Sequence, residues 1–388
     1  MCKTPTSLDE IRFVHIRRRG LRAVARTLQP DLKAAFGGRK VLLTGHTGFK
    51  GGWLALWLHD LGADVTGIAL APNPGPSLFT TLGLDDLIDH RIGDIRSQEG
   101  FARAVEGVDA DVVIHMAAQA VVRQSYNDPV DTYLTNVVGT AAVLEAARQM
   151  PSLKAAVVVT SDKCYENREW VWGYRENDAI GGVDPYSSSK SCAELVTSSY
   201  RHSFFRDPSS PQLASARAGN VFGGGDWSQD RLIPDIMKAA LAGQPVVIRN
   251  PGSIRPWQHV MEPLSGYLLL AANVLGGGAA FAESWNFGPN PEGVLDVGTL
   301  AILVKEAWGG NEVKLELGSV DGDAPHEAGI LRLDSTKATT RLAWRPRLDV
   351  AEAVVLTVDW YKAHAEGNAD MLAITRGQIE DYAARMCG

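Results

Sequence analysis

Cysteine is scarce in this 388-residue sequence, which contains only four. Cys2, Cys164, Cys192 and Cys387 form no CxxC pair and show no spacing typical of a disulfide framework, which favours a reducing compartment. The sequence also lacks an uninterrupted run of about 18 apolar residues that could span a membrane. Its first residues lack the apolar core of a secretory signal. We therefore expect a cytoplasmic protein with no membrane partner.

An excess of positive charge is lacking as well. The 38 Lys and Arg residues face 45 Asp and Glu residues, for a formal net charge of −7, which argues against a nucleic-acid partner. The charge is uneven, because the first 40 residues carry ten basic and three acidic side chains, a net +7 that leaves −14 for the remainder. We interpret residues 1–36 as a basic N-terminal extension or a start-site artefact, with an organellar transit peptide as the alternative.

With 45% hydrophobic and 21% charged residues, the composition is that of a globular protein. Short, almost wholly apolar segments alternate with helical patterns, which predicts an α/β fold with a doubly wound parallel sheet of the Rossmann type. Residues 37–218, with a returning segment at about 246–290, are predicted to form the dinucleotide-binding domain, and residues 219–245 and 291–388 a smaller substrate domain. The predicted strands are Lys40–Thr44, Asp64–Ile68, Asp111–His115, Ala155–Thr160 and Leu213–Ala216, and the predicted helices include Trp53–Leu61, Asn136–Gln149 and Ser189–Ser203.

Three glycines follow the first predicted strand with the spacing G-x-x-G-x-x-G. Gly45, Gly48 and Gly51 would allow a tight turn, the approach of backbone amides to a pyrophosphate, and close packing of helix on strand. The intervening Thr47, Phe49 and Lys50 are therefore candidate cofactor contacts, although Lys50 could equally face solvent. Because the second strand does not end in an acidic ribose-binding residue, the sequence leaves NAD and NADP open.

Two later strand ends offer further candidate cofactor contacts. Asp94, followed by Ile95, could accept a hydrogen bond from adenine, or be a solvated carboxylate in a turn. Ala117, Ala118 and Gln119 follow another strand, where small residues would let a flat cofactor lie against the backbone.

A tyrosine and a lysine four residues apart form the main chemical motif. Tyr186 and Lys190 would share one face at the start of a helix, where the ammonium group and a bound nicotinamide would lower the pKa of the phenol. The phenolate could then accept a proton from a sugar hydroxyl. Ser161, Asp162 and Lys163 end another strand, where Ser161 could bind the reacting oxygen and the adjacent acid and amine could assist. The alternative for Asp162 and Lys163 is a surface ion pair.

These motifs, together with longer ones, resemble the extended short-chain dehydrogenases/reductases, and among them the CDP-glucose 4,6-dehydratases. The resemblance extends from about Gly37 to Trp360. It rests on TGHTGFKGGWL (44–54), GDIR (93–96), HMAAQ (115–119), TSDKCYENREWVWGYREN (160–177), DPYSSSK (184–190), RAGNVFGGGDW (217–227), RLIPD (231–235), RNPGSIRPWQHVMEPLSGY (249–267), WNFGP (285–289) and HEAGILRLDSTKA (326–338).

The resemblance implies that NAD⁺ removes hydride from C4 of CDP-D-glucose, that water is lost across C5 and C6, and that hydride returns to C6. In this scheme Tyr186 is the base at O4 and Asp162 the acid for the C6 hydroxyl. Lys163 is the base at C5, or alternatively a charged group that stabilises the enolate. To act as a base it would have to be neutral, which desolvation and neighbouring positive charges favour.

The resemblance also suggests which residues bind the substrate and how the chain assembles. Substrate binding is expected from Arg123, Asn220, Arg217, Arg231, Arg255 and Trp172, with a structural ion pair as the alternative for Arg217, and packing or a subunit contact for Trp172. No metal is expected, and the family implies a homodimer or a dimer of dimers. The alternative functions are another nucleotide-sugar 4,6-dehydratase, a 4-epimerase on the same fold, or a dinucleotide-binding regulator without turnover.

Overall fold

The computed structural model describes residues 29–310, 313–318 and 330–387. Most of the predicted basic extension therefore lies outside the described residues, as do residues 326–329 of the HEAGILRLDSTKA motif. A short helix already occupies Leu32–Phe36, and the side chain of Phe36 is fully buried in the main core. The folded body thus begins before the boundary that was predicted at residue 37.

A seven-stranded parallel sheet forms the centre of the molecule, in the order β10-β6-β5-β4-β1-β2-β3. A three-stranded sheet, β11-β9-β7, and a two-stranded sheet, β12-β8, lie beyond it. The strands are β1 (Lys40–Thr44), β2 (Asp64–Ala69), β3 (Asp89–Ile92), β4 (Val112–His115), β5 (Ala155–Val159), β6 (Gln212–Ala218), β7 (Asn220–Phe222), β8 (Val246–Ile248), β9 (Ile254–His259), β10 (Ser284–Phe287), β11 (Val294–Asp296) and β12 (Leu315–Leu317).

Helices cover both faces of the large sheet, which confirms the predicted doubly wound fold. They are α1 (Leu32–Phe36), α2 (Phe49–Asp60), α3 (Leu78–Thr81), α4 (Gln98–Ala104), α5 (Val122–Asn127), α6 (Pro129–Tyr133), α7 (Gly139–Ala147), α8 (Pro185–Ser203), α9 (Leu232–Ala242), α10 (Met261–Gly277), α11 (Val297–Trp308), α12 (Thr336–Arg341), α13 (Val350–Glu366) and α14 (Met371–Cys387). A π-helical segment, Leu134–Val138, joins α6 to α7, and 3-10 turns occupy Leu84–Asp86, Asp162–Cys164, Gly278–Ala280 and Pro291–Gly293.

The strands in the middle of the large sheet are buried on both faces. All seven residues of β6 are buried, as expected for a parallel strand covered on both faces. The helical stretch Met261–Ala280, which comprises α10 and the 3-10 turn after it, is long and apolar enough to span a membrane by length and composition alone. Its residues from Met261 to Ala272 are buried inside the molecule, however, and the helix packs against β5 and β6, which is typical of a core helix.

The order of the large sheet places the functional cleft. The chain builds β1, β2 and β3 outward in one direction and then returns to place β4 on the other side of β1. Such a reversal opens a crevice at the carboxyl ends of the strands, where ligands bind in doubly wound folds. The two small sheets stand over this edge, although the division into two domains stays a prediction.

Candidate functional site

A large cleft lies at the carboxyl ends of the central strands. Its volume of about 710 Å³ is within the range of small-molecule sites. The wall on the sheet side is formed by the glycine turn after β1 and by the ends of β4 and β5, and the opposite wall by residues of β7, β8, β9 and the start of α9. All the predicted catalytic and cofactor-binding residues line this one cleft.

The glycine turn has the geometry that its spacing predicts. Gly45 has φ +83°, and a Cβ atom there would lie 2.7 Å from the backbone nitrogen of Ala117. A Cβ atom on Gly51 would lie only 2.1 Å from the carbonyl oxygen of Gly45, so α2 can pack this closely only with glycine there. The Thr47 hydroxyl donates to the carbonyl of Leu70 and ties the turn to the end of β2. The result is an open cradle at a helix N-terminus, which suits a phosphate group.

For Lys50, the sequence left open whether the side chain contacts the cofactor or faces solvent. Its Nζ donates a hydrogen bond of 2.9 Å to the hydroxyl of Tyr267 on α10, so the side chain does not face solvent. Burial, together with the nearby Arg231 and Lys190, lowers the pKa of Lys50 to about 7, while Asp162 opposes this shift. The charge of the Lys50 amine is therefore coupled to the charges of Arg231, Lys190 and Asp162 in the cleft.

The adenine end of the predicted cofactor site is organised by one arginine. The guanidinium of Arg96 binds both carboxylate oxygens of Asp94 and reaches Asp131 on α6. This hydrogen bonding lowers the pKa of Asp94, which keeps its carboxylate charged at the cleft wall. Asp94 is thus a fixed acceptor, neither a loosely solvated side chain nor a buried one.

Gln119 is held in place by the π-helical segment. The backbone nitrogen of Gln119 donates to Asn136 Oδ1, and Asn136 Nδ2 donates to the carbonyl of Gln119 and to the hydroxyl of Ser189. These bonds join the end of β4 to the start of α8, and Thr135 from the same segment lines the cleft. The helical stretch predicted from Asn136 to Gln149 is confirmed, with its first three residues in the π-helical segment and its α-helical part ending at Ala147.

Tyr186 and Lys190 lie in the first two turns of α8. The helix begins at Pro185, with the carboxylate of Asp184 accepting from the backbone nitrogen of Ser187. Lys190 Nζ lies 5.9 Å from the centre of the Tyr186 ring. Burial raises the pKa of Tyr186 to about 12 against the opposing effects of Ser161 and Arg231, and burial lowers the pKa of Lys190 to about 8. In the ligand-free chain the phenol is therefore neutral at pH 7, and the lowered pKa that the motif predicts for the complex with nicotinamide stays a prediction.

Ser161, Asp162 and Lys163 lie beside Tyr186, in the tight turn that follows β5. The Ser161 hydroxyl donates 2.9 Å to Asp162 Oδ1 and accepts 3.2 Å from the backbone nitrogen of Lys163. Only 2% of Asp162 is exposed, and its buried Oδ2 has no hydrogen-bond partner within the part of the chain that the structure describes. Burial raises the pKa of Asp162, opposed by Lys163, Ser161 and Arg255. Lys163 is half-buried and lines the cleft, which argues against a surface ion pair.

Positive side chains line the opposite wall. Arg255 on β9 is 4% exposed, and Arg231 precedes α9, where it binds the carboxylate of Asp226 and the carbonyl of Ala120. Asn220 on β7 lies on the same wall, whereas Arg123 on α5 follows the end of β4 on the sheet side. All four predicted residues thus line this one cleft.

Two predicted substrate residues, Arg217 and Trp172, do not line this cleft. Arg217 is 1% exposed, and its guanidinium binds the buried Glu194 at 2.7 Å, so it forms a structural ion pair beneath the cleft. Trp172 is 68% exposed, and its ring packs edge-on against Trp170, away from the cleft. Both outcomes match the alternatives that the sequence left open.

Several cleft residues were not singled out from the sequence. Asp230 has φ +58° and accepts from Arg249 at 3.1 Å, with Arg123 at 3.8 Å, so it joins the two walls at the mouth. Arg249 lies within a quoted motif, which was the one available indication of its role. Tyr267 does not line the cleft but accepts the hydrogen bond from Lys50; it lies within the same motif, where its sequence is that of an apolar helix. Among the described residues no three His, Cys, Asp or Glu side chains are grouped to hold a metal.

Comparison with known proteins identifies the family. The family model described as GDP-mannose 4,6 dehydratase matches residues 42–357. A CDP-glucose 4,6-dehydratase of Salmonella typhimurium strain LT2 is 50% identical over 350 residues, covering 89% of this chain and 96% of the relative. A dTDP-glucose 4,6-dehydratase of Xanthomonas campestris pv. campestris is 27% identical, covering 82% of this chain and 92% of the relative.

Solved structures share the fold. DesIV of Streptomyces venezuelae, a dTDP-glucose 4,6-dehydratase with NAD and TYD bound, superposes with a TM-score of 0.71 at 23% identity, covering 86% of this chain and 99% of that chain. The epimerase Mth375 of Methanothermobacter thermautotrophicus gives a TM-score of 0.74 at 23% identity, covering 87% and 97%. With a Rossmann-type fold and a family match over most of its length, the chain belongs to the GDP-mannose 4,6-dehydratase family of extended short-chain dehydrogenases/reductases.

Proposed function

We propose that the chain is an NAD-dependent lyase that converts CDP-D-glucose into CDP-4-keto-6-deoxy-D-glucose and water. The observation that carries this proposal is the 50% identity to the Salmonella CDP-glucose 4,6-dehydratase over nearly the whole of both chains. The cleft supports it, because an acid and an amine, Asp162 and Lys163, stand beside the Tyr186–Lys190 pair. An epimerase has no elimination to catalyse and does not need these two groups.

The cleft fits a dinucleotide. Its cradle would be filled by a Cβ atom at Gly45 or Gly51, which keeps backbone amides accessible at the N-terminus of α2. Asp94 supplies a fixed acceptor, and Ala117 and Ala118 leave room beside the strand end. When bound, NAD⁺ accepts hydride from the substrate and later returns it.

The roles of the protein side chains follow from their surroundings. Tyr186 takes the proton of the C4 hydroxyl, and Lys190 and Ser161 favour the charged phenolate beside it. Asp162 gives a proton to the departing C6 hydroxyl, and the burial that raises its pKa keeps that proton available. Lys163 takes the C5 proton, which the adjacent 4-ketone has made acidic.

The arginines on the opposite wall bind the substrate diphosphate. Arg255 and Arg231 offer the planar, bidentate donors that phosphates favour, and Asn220 adds an amide. This local positive charge overcomes the acidic character of the body. The remaining cleft toward β8 and Arg249 would hold the nucleoside.

The substrate is tested by incubating the purified protein separately with CDP-, dTDP-, UDP- and GDP-glucose. We expect a 4-keto-6-deoxy sugar from CDP-glucose alone. Product from another nucleotide sugar would reassign the nucleotide, and a 4-epimer would reassign the reaction. A folded protein with bound dinucleotide that turns over none of the four would be the regulator.

We also propose that the chain is a cytoplasmic homodimer. Exposed apolar side chains lie on two neighbouring helical segments, with Val130, Leu134 and Val138 on one and Leu195 on α8. An apolar surface of this kind on a folded chain favours a protein contact. The cysteines in the described residues are all free thiols, which is typical of a reducing compartment.

A further inference from the structure

The ion pair between Glu194 and Arg217 is buried beneath the cleft and lines no part of it. Glu194 lies on α8, one helical turn beyond Lys190, and Arg217 lies on β6. Two buried charges cost desolvation energy, and an apolar pair of the same volume is often equally stable or more so. Stability alone therefore does not explain why the chain has this pair.

The carboxylate of Glu194 holds the end of β5 as well as Arg217. Its Oε1 accepts from the hydroxyl of Thr160 at 2.5 Å, and its Oε2 accepts from the hydroxyls of Ser215 at 2.8 Å and Ser284 at 3.2 Å. Burial opposes ionisation of Glu194, but Arg217 and these hydrogen bonds lower its pKa to about 2. The carboxylate is therefore charged at neutral pH, and hydrogen bonds to a charged acceptor are the stronger ones.

The 3-10 turn Asp162–Cys164, which carries the proposed acid and amine, is tied to α8 at both ends. Just before the turn, Thr160 donates to Glu194. At its end, the carbonyl of Cys164 accepts at 2.9 Å from the hydroxyl of Ser191, whose hydrogen is shared with a carbonyl one turn back in α8. Ser191 and Glu194 are three residues apart and thus lie on one face of α8. The turn cannot shift along this face without breaking one of the two ties.

Arg217 fixes the chain that follows the turn. Its Nη1 donates at 2.7 Å to the hydroxyl of Tyr165, the residue directly after Cys164. That hydroxyl in turn donates at 2.7 Å to Asn286 Oδ1, and Tyr165 is fully enclosed. One ion pair thus holds the residue before the turn through Glu194 and the residue after it through Arg217.

We propose that Glu194 and Arg217 are positioning residues that fix the acid and amine of this turn relative to α8, a role that rests on the proposed function. Oxidation depends on α8, where Tyr186 takes the C4 proton, whereas elimination depends on the turn, where Asp162 and Lys163 act at C6 and C5. Both segments must reach one sugar ring at the same time. A misplacement of about 1 Å can slow a step by about 10²-fold. Loosening the turn therefore slows elimination more than oxidation.

The test uses single turnovers, with the holoenzyme in excess over CDP-glucose. The absorbance of reduced nicotinamide rises with oxidation and decays as elimination and hydride return follow. Thr160→Val keeps the shape of the side chain but removes the hydroxyl that Glu194 holds. We expect it to slow the decay by about 10²-fold and the rise by about 10-fold or less. Deuterium at C5 of the sugar should slow the decay further, because elimination is then the limiting step.

Two controls separate positioning from stability. Thr160→Ser keeps the hydroxyl and should return the decay to nearly the rate of the unchanged protein. Ser284→Ala removes a different donor to the same carboxylate, on the edge strand β10, and should leave the ratio of the two rates unchanged. Equal slowing of rise and decay in Thr160→Val, or the same altered ratio in Ser284→Ala, would overturn the proposal.

Ser191→Ala loosens the other end of the turn, and it decides the question if Thr160→Val fails to fold. We again expect the decay to slow more than the rise, and an unchanged ratio would exclude the positioning role. An unchanged protein that forms neither reduced cofactor nor product with any nucleotide sugar would instead show that the proposed function is wrong.

Discussion

The neighbouring side chains of Asp162 and Lys163 differ in burial, because Asp162 is buried and Lys163 is only half-buried. Asp162 is enclosed, and among the described residues its Oδ2 has no hydrogen-bond partner; burial raises the pKa of Asp162, which favours an acid. Lys163 extends into the cleft, where substrate would contact it. A single tight turn after β5 thus carries both groups that we propose for the elimination, one buried and one accessible.

This division predicts different failures for two variants. Tyr186→Phe removes the base for the first oxidation, so neither product nor reduced cofactor should form. Lys163→Ala leaves that oxidation intact but blocks proton removal at C5, so product should fall by about 10²–10⁴-fold. Absorbance at the wavelength of reduced nicotinamide, followed after mixing with CDP-glucose, should rise transiently in Lys163→Ala only. The same absorbance trace in both variants would contradict the roles assigned here.

At the scale of single residues, the sequence indicates which side chains could bind a ligand, but it does not indicate which way each side chain points. Arg217 and Arg255 both belong to strands near the cleft, yet only Arg255 lines it. Because every residue of β6 is buried, the burial pattern of that strand does not indicate which face Arg217 occupies. Its partner Glu194 lies on α8, and only the folded structure brings the two together.

At the scale of helices and strands, close packing restricts which residues the sequence can place at a contact. Helix α2 lies so close to the turn after β1 that Gly51 cannot carry a side chain without displacing the Gly45 carbonyl. The spacing of the glycines predicted this contact. The π-helical form of Leu134–Val138 was not predicted; Asn136 in this segment exchanges hydrogen bonds with Gln119 and donates to Ser189, which are distant in the sequence. Contacts between distant segments of the chain override local periodicity there.

Gly51→Ala and Gly48→Ala form a matched pair for this packing. A Cβ atom on Gly48 would meet only the Gly45 carbonyl oxygen, at 3.4 Å, which is an ordinary contact. We expect Gly51→Ala to lower the free energy of unfolding by about 3 kcal/mol or more, and Gly48→Ala by about 1 kcal/mol or less. Urea denaturation without added cofactor measures both. Similar losses in the two variants would show that close packing at Gly51 is not the cause.

Glu262 makes the docking of α10 onto the C-terminal segment dependent on pH. Its carboxylate accepts from the backbone nitrogens of Arg347 and Leu348 and from the hydroxyl of Tyr382, while burial raises its pKa to about 7. The folded state therefore binds this proton more tightly than the unfolded state. The resulting stabilisation is present below the unfolded pKa of about 4.5 and is lost as the pH rises through about 7.

Glu262→Gln keeps the shape of this side chain but cannot titrate. The difference in unfolding free energy between the unchanged protein and Glu262→Gln should fall as the pH rises from 5 to 7, by up to about 1.4 kcal/mol per pH unit, and then level off. Denaturation curves at pH 5, 6, 7 and 8 measure it, and the other titrating groups cancel in the difference. A difference that is constant over this range would contradict the raised pKa of Glu262.

At the scale of the whole molecule, charge and apolar surface have separate locations. The chain is acidic overall, yet its cleft is lined by Arg123, Arg231, Arg249 and Arg255, so the net charge of the chain says little about its ligand. The apolar surface on α8 and on the π-helical segment lies behind the catalytic residues of α8. A second subunit bound there would pack directly against α8, the helix that carries Tyr186 and Lys190.

Leu195→Glu tests whether this surface is the dimer contact. Leu195 is 60% exposed on α8, and Ile302 on α11, at 52% exposed, is a control of similar exposure on a different surface. We expect light scattering after gel filtration to show a dimer for the unchanged protein and for Ile302→Glu, but a monomer for Leu195→Glu, because a buried, unpaired carboxylate opposes association. Since the contact supports α8, the Leu195→Glu monomer should also have a lower kcat. A dimeric Leu195→Glu, or a monomeric unchanged protein, would exclude this surface as the contact.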